Sequence, residues 1–143
     1  MRVTTALAAA AVVLATVIVP GGAAVAEVPQ HSVTLTGAKE APDPGDANGR
    51  GQFSWSLDGQ KLCYLLSATR IGTAAAAHIH RGAVGVAGPV RVELQAPAPR
   101  ASAACVTVAA SLATALRDHP RRFYVNVHTA AFPGGAIRAQ LTR

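Results

Sequence analysis

Residues 52–66 read QFSWSLDGQKLCYLL and contain two strand-like segments joined by an Asp-Gly pair. In residues 53–57, apolar side chains alternate with serines, which is typical of a β-strand with one buried face. Asp58 and Gly59 follow directly, and this dipeptide is a strong signal for a tight hairpin turn. The return strand is predicted over residues 61–68. The stretch therefore predicts an antiparallel β-hairpin.

Further strand-like segments recur along the chain. They cover residues 32–36, 75–80, 90–95, 105–108, 123–128 and 137–141. Segments rich in Gly, Pro or small polar residues, such as 41–51 and 97–102, are predicted loops. Residues 111–118 favour a short connecting helix with Ser111 as its N-cap. The pattern predicts an all-β fold, an antiparallel Greek-key sandwich or barrel of about seven or eight strands with one short connecting helix.

Composition limits the classes of protein that the chain can represent. It has 143 residues, of which 50% are apolar and 4% aromatic, and its formal net charge is +6. This length allows one domain, and this hydrophobicity excludes an intrinsically disordered chain. A nucleic-acid-binding protein would concentrate its basic residues on one face or carry stacking aromatics. We therefore expect one globular domain with no nucleic-acid partner.

Residues 1–26 have the features of a secretory signal peptide. After a basic start, residues 6–19 form an uninterrupted apolar run, and residues 24–26 (Ala-Val-Ala) form a small-x-small cleavage site. The run is shorter than the roughly 20 residues that a membrane-spanning helix needs. We expect cleavage after Ala26, a mature β domain over residues 27–143, no transmembrane segment after cleavage, and a secreted or extracytoplasmic location.

The chain contains two cysteines, Cys63 and Cys105. In an exported protein an even pair usually forms a disulfide, although a metal-binding or nucleophilic thiol is the alternative. Each cysteine has the opposite strand parity to its apolar neighbours. Both are therefore predicted on the outer face of the sheet, where they could bond between neighbouring strands.

Three histidines form a candidate metal site. His78 and His80 flank Ile79 on a predicted strand, so both imidazoles project to the same side. His128 lies on the polar face of a later strand. If the two strands approach each other, the three rings could hold Cu or Zn, because imidazole is a preferred ligand of both. The alternative is that the histidines lie on a solvated strand face and hydrogen-bond to nearby loops.

Three more polar side chains share that outward parity. Tyr124 and Asn126 alternate along the same strand as His128, and Arg138 lies on the last strand. Oxygen atoms of the first two could fix the second nitrogen of a metal-bound imidazole. Arg138 could bind an anion or carboxylate, or act as a structural salt-bridge partner. Its positive charge argues against a bare cation nearby.

Other chemistries have weaker support. Glu40, Asp43, Asp46 and Asn48 could hold Ca²⁺, but their spacing is not that of an EF-hand, and turn chemistry explains them about as well. The Gly-rich residues 81–89 lack the strand-to-helix context of a phosphate loop. Neither a Gly-x-Ser-x-Gly motif nor a paired-carboxylate arrangement stands out. We therefore assign no catalytic residue.

Four motifs in order along the chain resemble the CHRD domain, which is named for the repeats of chordin and also occurs in exported bacterial single-domain proteins. They are LTGAKEAP at 35–42, AHIHRG with GVAGPV at 77–82 and 85–90, YVNVHT at 124–129, and FPGGAIRAQL at 132–141. In the first motif Ala41 and Asp43 replace the family's usual Val and second Pro. The resemblance implies an extracellular β domain.

A second, partial resemblance is to copper/zinc superoxide dismutase, which also has a His-x-His strand, a later His and an Arg in a Gly-rich final segment. It implies that His78, His80 and His128 stand for copper ligands and Arg138 for an anion-steering residue. The metal-bridging histidine and the zinc ligands of that family have no counterparts between His80 and His128. Dismutase activity is therefore not implied.

Together these observations favour a non-catalytic CHRD module that binds an unknown extracellular or cell-envelope ligand or serves a structural role. The alternative is a copper- or zinc-binding protein, including a redox-active one, that uses the three histidines.

Overall fold

The computed structural model describes residues 29–143, in which eight β-strands and one α-helix follow one another. The strands are β1 (His31–Thr36), β2 (Arg50–Asp58), β3 (Lys61–Thr69), β4 (Ala74–Arg81), β5 (Val90–Leu94), β6 (Ala101–Thr107), β7 (Phe123–Thr129) and β8 (Ile137–Gln140), and the helix α1 (Ala110–Asp118) joins β6 to β7. Short 3₁₀ turns at Gly37–Lys39 and Pro120–Arg122 complete the described elements.

The eight strands form one antiparallel sheet in the order β5-β4-β7-β8-β1-β2-β3-β6. The sheet curls into a nearly closed barrel whose edge strands are β5 and β6. The predicted all-β antiparallel class with one connecting helix is therefore confirmed.

The hairpin of β2 and β3 forms a large part of the core. Its register runs from Arg50 opposite Thr69 to Asp58 opposite Lys61, and Gly59 adopts the positive φ of 54° that the turn requires. The alternating apolar side chains of both strands point inward. Phe53, Leu62 and Leu66 are fully buried, and Trp55 is 2% exposed. The predicted hairpin is thereby confirmed.

Two local predictions were wrong. The strand expected at residues 105–108 begins at Ala101, because its small residues pair with β3 although they show no apolar alternation. The helix begins at Ala110 rather than Ser111, and its N-cap is Ala109, with no side-chain cap hydrogen bond. Ser111 is therefore not the N-cap.

The predicted disulfide between Cys63 and Cys105 is present. The two residues lie directly opposite each other on β3 and β6, with their Cα atoms 4.0 Å apart. Cys63 is half-buried and Cys105 is exposed, as the outward parity predicted. The bond fixes the edge strand β6 to its only neighbour in the sheet, β3.

Part of the outer face of the barrel is covered rather than wet. Residues 82–89, here called the covering loop, connect β4 to β5 and contact the outward side chains of β7 and β8. Tyr124 and Arg138 are consequently only 3% and 1% exposed, and Asn126 beside them is 2% exposed. The expectation of a solvated polar face was wrong here, because strand parity gives the direction of a side chain but not what packs over it.

Within residues 29–143 no helix is long and apolar enough to cross a membrane. The predicted signal peptide, residues 1–26, lies outside the residues that the structure describes.

Candidate metal centre

The candidate centre lies on the outer face of two adjacent strands. β4 and β7 pair with His78 opposite Asn126 and His80 opposite Tyr124. Ile79 and Val127 are fully buried on the inner face. Because neighbouring residues of a strand point to opposite faces, the adjacent histidines of both strands project outward together.

The three imidazoles come together on this surface. His78 Nδ1 lies 3.1 Å from His128 Nε2. One ring nitrogen from each of His78, His80 and His128 lies within 4.8 Å of the others, and the described residues contain no further group of three or more His, Cys, Asp or Glu side chains with such geometry. The structure therefore groups the three histidines that the sequence singled out.

The other nitrogen of each imidazole is held by an oxygen atom. His80 Nδ1 lies 2.8 Å from the Gly88 carbonyl, and His128 Nδ1 lies 2.9 Å from the Pro133 carbonyl. His78 Nε2 lies 2.9 Å from a carboxylate oxygen of Glu93. Each of these oxygens accepts a hydrogen bond, so each held nitrogen carries a proton. In a neutral imidazole the opposite nitrogen is then unprotonated and presents its lone pair.

These unprotonated nitrogens point into one shared space. They are His78 Nδ1, His80 Nε2 and His128 Nε2, and the buried His80 Nε2 has no hydrogen-bond partner among the described residues. The Oδ1 atom of Asn126 also lies 3.1 Å from His128 Nε2. Several acceptors thus face one another, and a shared proton, a cation or the NH2 group of the Asn126 amide in its flipped orientation would satisfy them.

Burial favours the neutral form of two of the rings. The pKa of His80 is lowered from its ordinary value of 6.5, mainly because burial penalises the charged form, and also because His78 and His128 are close. The pKa of His128 is lowered for the same first reason, with His78 as a further cause. Neutral imidazoles are the form that binds metal ions.

Arg138 does not border the imidazoles directly. Its guanidinium lies 3.4 Å from the centre of the Tyr124 ring, and that ring stacks on His80 with the ring centres 4.7 Å apart. Because β4 and β8 flank β7 on opposite sides, the Tyr124 ring lies between the cation and the imidazole. The guanidinium charge is therefore separated from the candidate centre by an aromatic ring.

Arg138 and Tyr124 also attach the covering loop to the barrel. Arg138 Nη2 donates hydrogen bonds to the carbonyls of Ala83 and Val86, at 2.9 and 3.0 Å, and the Gly88 amide donates to the Tyr124 hydroxyl. Gly88 is also the residue whose carbonyl holds His80. The two side chains therefore help to orient an imidazole that Arg138 does not touch.

Sequence reasoning missed Glu93 and the backbone carbonyls that hold the rings. Glu93 could have been found, because it alternates outward on β5 and lies opposite His78 in the register. The carbonyls of Gly88 and Pro133 could not, since any residue can supply a backbone oxygen.

The candidate calcium ligands do not gather into a comparable cluster. Asp46 Oδ1 instead accepts a hydrogen bond from the amide of Asn48, as in an Asx turn. Glu40 is buried, with its carboxyl group packed close to Gly135. The turn interpretation accounts for Asp46 and Asn48.

Comparison with known proteins places the chain in a family. The family model of the CHRD domain matches residues 31–141, which is nearly the whole described region, and the chain therefore belongs to the CHRD domain family. No curated protein and no solved structure matches it. Membership suggests an extracellular binding or structural role.

Proposed function

We propose that this CHRD domain binds one copper or zinc ion through His78 Nδ1, His80 Nε2 and His128 Nε2. The observation that carries the proposal is the orientation of the three rings. Each ring has one nitrogen held by an oxygen atom and presents the other nitrogen to a common centre. Such outer oxygen partners accompany nearly all metal-binding histidines and fix the ring in its ligating tautomer.

The spacing of the nitrogens suits a single ion. Two nitrogen ligands at about 2.0–2.1 Å from a metal lie roughly 3.3 Å apart at a tetrahedral angle and roughly 2.9 Å apart at a right angle. The distance of 3.1 Å between His78 Nδ1 and His128 Nε2 falls between these values. Small side-chain adjustments can bring His80 Nε2 to the same distance from the ion.

Copper and zinc are the metals that fit these donors. Imidazole nitrogen suits both, whereas Ca²⁺ and Mg²⁺ prefer oxygen ligands. Glu93 supplies a negative charge beside His78, which favours a divalent cation over neutral ligands alone. The Asn126 amide oxygen or a solvent molecule can complete the coordination.

A metal-free role is the second candidate. If His78 carries both ring protons, its Nε2 donates to Glu93 and its Nδ1 donates to His128 Nε2, so that a hydrogen-bonded pair replaces the ion. The cluster would then tie β5 to β4 and β7 in a purely structural or ligand-binding CHRD module.

Metal titration of the protein after treatment with a chelator separates the two candidates. We expect Cu²⁺ and Zn²⁺ each to bind with one ion per chain by calorimetry. Binding should be lost in the His80→Ala, His128→Ala double variant and retained in His119→Ala, since His119 is exposed and outside the cluster. Equal binding by both variants, or none by the native protein, would leave the structural role as the better account.

We also propose that the chain is exported and cleaved after Ala26. The small-x-small motif at residues 24–26 and the disulfide support an oxidising location. Mass spectrometry of exported protein should find Glu27 as the first residue. Export with residues 1–26 retained would contradict the proposal.

A further inference from the structure

A second polar group of side chains lies away from the imidazoles, at the floor of a cavity of about 660 Å³. The cavity opens on the outer face of β1 and β8, next to the covering loop. Ala38, Val84 and Gly85 lie along its apolar side, and the charged residues that line it are Lys39, Glu40 and Arg138.

Two buried polar atoms of residues that line the cavity lack partners. Arg138 is 1% exposed, and its Nη2 is engaged by the covering loop, but its Nη1 has no hydrogen-bond partner among the described residues. Glu40 is 9% exposed, and its Oε1 also has no partner within residues 29–143. Leaving a charged donor and a carboxyl oxygen buried without partners is costly, so each needs an explanation.

The two groups do not satisfy each other. No nitrogen–oxygen distance between Arg138 and Glu40 reaches salt-bridge range, since the ion pair found in residues 29–143 is that of His78 with Glu93. Gly135 lets the Glu40 carboxyl group pack where any Cβ would come within 2.4 Å of it. The structure therefore holds a carboxyl group and a guanidinium near one cavity but out of direct contact.

We propose that this cavity binds an organic carboxylate with a small apolar body. Arg138 Nη1 is fully buried in this structure, so the covering loop must shift to admit a ligand carboxylate that accepts hydrogen bonds from it. Lys39 would add positive charge at the rim, and the apolar body would lie against Val84 and Ala38. Val84 is 78% exposed, a large exposure for an apolar side chain, and a ligand there would cover it. The site shares no ligand atom with the candidate metal centre.

Glu40 makes the binding depend on pH. Burial raises the pKa of Glu40 to about 7, against an opposing effect of Arg138 and of the Ala41 amide. Lys39 turns its ammonium group to the Thr34 carbonyl, and Asp46 is engaged with Asn48. Below neutral pH the protonated Glu40 can donate a hydrogen bond to the ligand. Above neutral pH the ionised Glu40 repels the carboxylate of the ligand. Affinity should therefore fall as pH rises through 7.

The test uses hexanoate as the probe and hexanamide as its uncharged match, with the amide signals of Val84 and Gly85 followed by NMR. We expect saturable shifts with hexanoate at pH 6 and at least tenfold weaker binding of hexanamide. Native affinity for hexanoate should fall on the order of tenfold between pH 6 and pH 8. Glu40→Gln should keep its affinity at pH 8, because the amide remains a neutral donor.

Surface variants provide the control without disturbing the buried groups. Val84→Asp places a negative charge at the mouth of the cavity and should weaken hexanoate binding about threefold. Leu65→Asp makes the same change at an exposed position on β3, outside the cavity, and should leave binding unchanged. Equal binding of hexanamide, equal effects of the two Asp variants, or an absence of saturable shifts would overturn the proposal. Chelator treatment should not alter the result, so failure here is distinct from failure of the metal site.

Discussion

At the scale of single residues, two ionisable side chains are buried at the outer face of the barrel without forming an ion pair. Glu40 and Arg138 both lie under neighbouring backbone, yet neither neutralises the other. Arg138 instead donates from Nη2 to two loop carbonyls and stacks its guanidinium on the Tyr124 ring. Mutations of the two residues should therefore change the free energy of unfolding independently of each other.

Glu40→Gln should stabilise the protein at pH 8 but not at pH 4. The folded pKa of Glu40 is raised by burial to about 7 from an ordinary 4.5, so the native protein loses stability as pH rises from 4.5 to 7. Removing the charge should recover about 1 to 2 kcal/mol at pH 8, after allowance for solvent screening. Urea unfolding at both pH values measures this gain. Asp43→Asn, at an exposed position of the same loop, should show no such pH-dependent gain.

Arg138→Lys should destabilise the protein by about 1 to 3 kcal/mol, because an ammonium cannot reproduce the planar stacking and the paired donors. Urea unfolding provides the measurement, with the exposed Arg91→Lys as a matched control. An NMR spectrum should also show altered amide shifts in the covering loop, since Ala83 and Val86 lose their partner. Equal stability of the two variants would mean that Arg138 does not hold the loop.

At the scale of elements, strand parity predicted much of the site, but it could not show what covers it. Cys63 and Cys105, and also His78 and His128, lie on regular neighbouring strands, so alternation alone gave their direction. The covering loop has no periodicity to interpret, and its contacts depend on carbonyls that every residue has. For that reason the burial of Arg138 could not be foreseen.

Small residues explain why the start of β6 was predicted wrongly from the sequence. The first half of β6 contains Ala101, Ser102 and Ala103, which give little hydrophobic contrast between the two faces. The backbone pairing with β3 selects the strand there, although the side chains do not indicate it. An edge strand of this kind depends on its single neighbour.

Reduction of the disulfide should therefore loosen β6 first. The bond joins residues separated by 42 positions, and the loss of such a cross-link costs at most about 4 kcal/mol by the loop-entropy relation. We expect a loss of about 2 to 4 kcal/mol in urea unfolding under reductant. Hydrogen exchange of the β6 amides should increase more than that of β7. The Cys63→Ala, Cys105→Ala variant should no longer respond to reductant, and an unchanged β6 would contradict this role.

At the scale of the whole molecule, the candidate metal centre joins the strands beside one edge of the barrel. His78 and His80 belong to β4, His128 belongs to β7, and Glu93 on the edge strand β5 holds His78. At the other edge of the sheet, the disulfide fixes the edge strand β6 to its neighbour β3. The disulfide secures one edge of the incomplete barrel covalently, and the proposed metal ion would secure the other.

Metal binding should consequently stabilise the fold and protect one edge of it. An ion that binds only the folded state adds about 2.7 kcal/mol when its free concentration is one hundred times its dissociation constant. We expect a higher melting temperature with Zn²⁺ and slower hydrogen exchange in β4, β5 and β7, with little change in β6. The His80→Ala, His128→Ala variant should show neither effect.

The same stabilisation should weaken in acid. Protons compete for the imidazole nitrogens, and burial lowers the pKa of His80 and of His128 below 6.5. Metal-dependent stabilisation should therefore persist through pH 6.5 and decline as pH falls through those lowered values. A shift in melting temperature that is equal at pH 5 and pH 7.5, or equal in the double variant, would place the bound ion elsewhere on the molecule. A shift seen only at neutral pH and only with the native cluster would show that an ion bound by the three histidines stabilises the β5 edge.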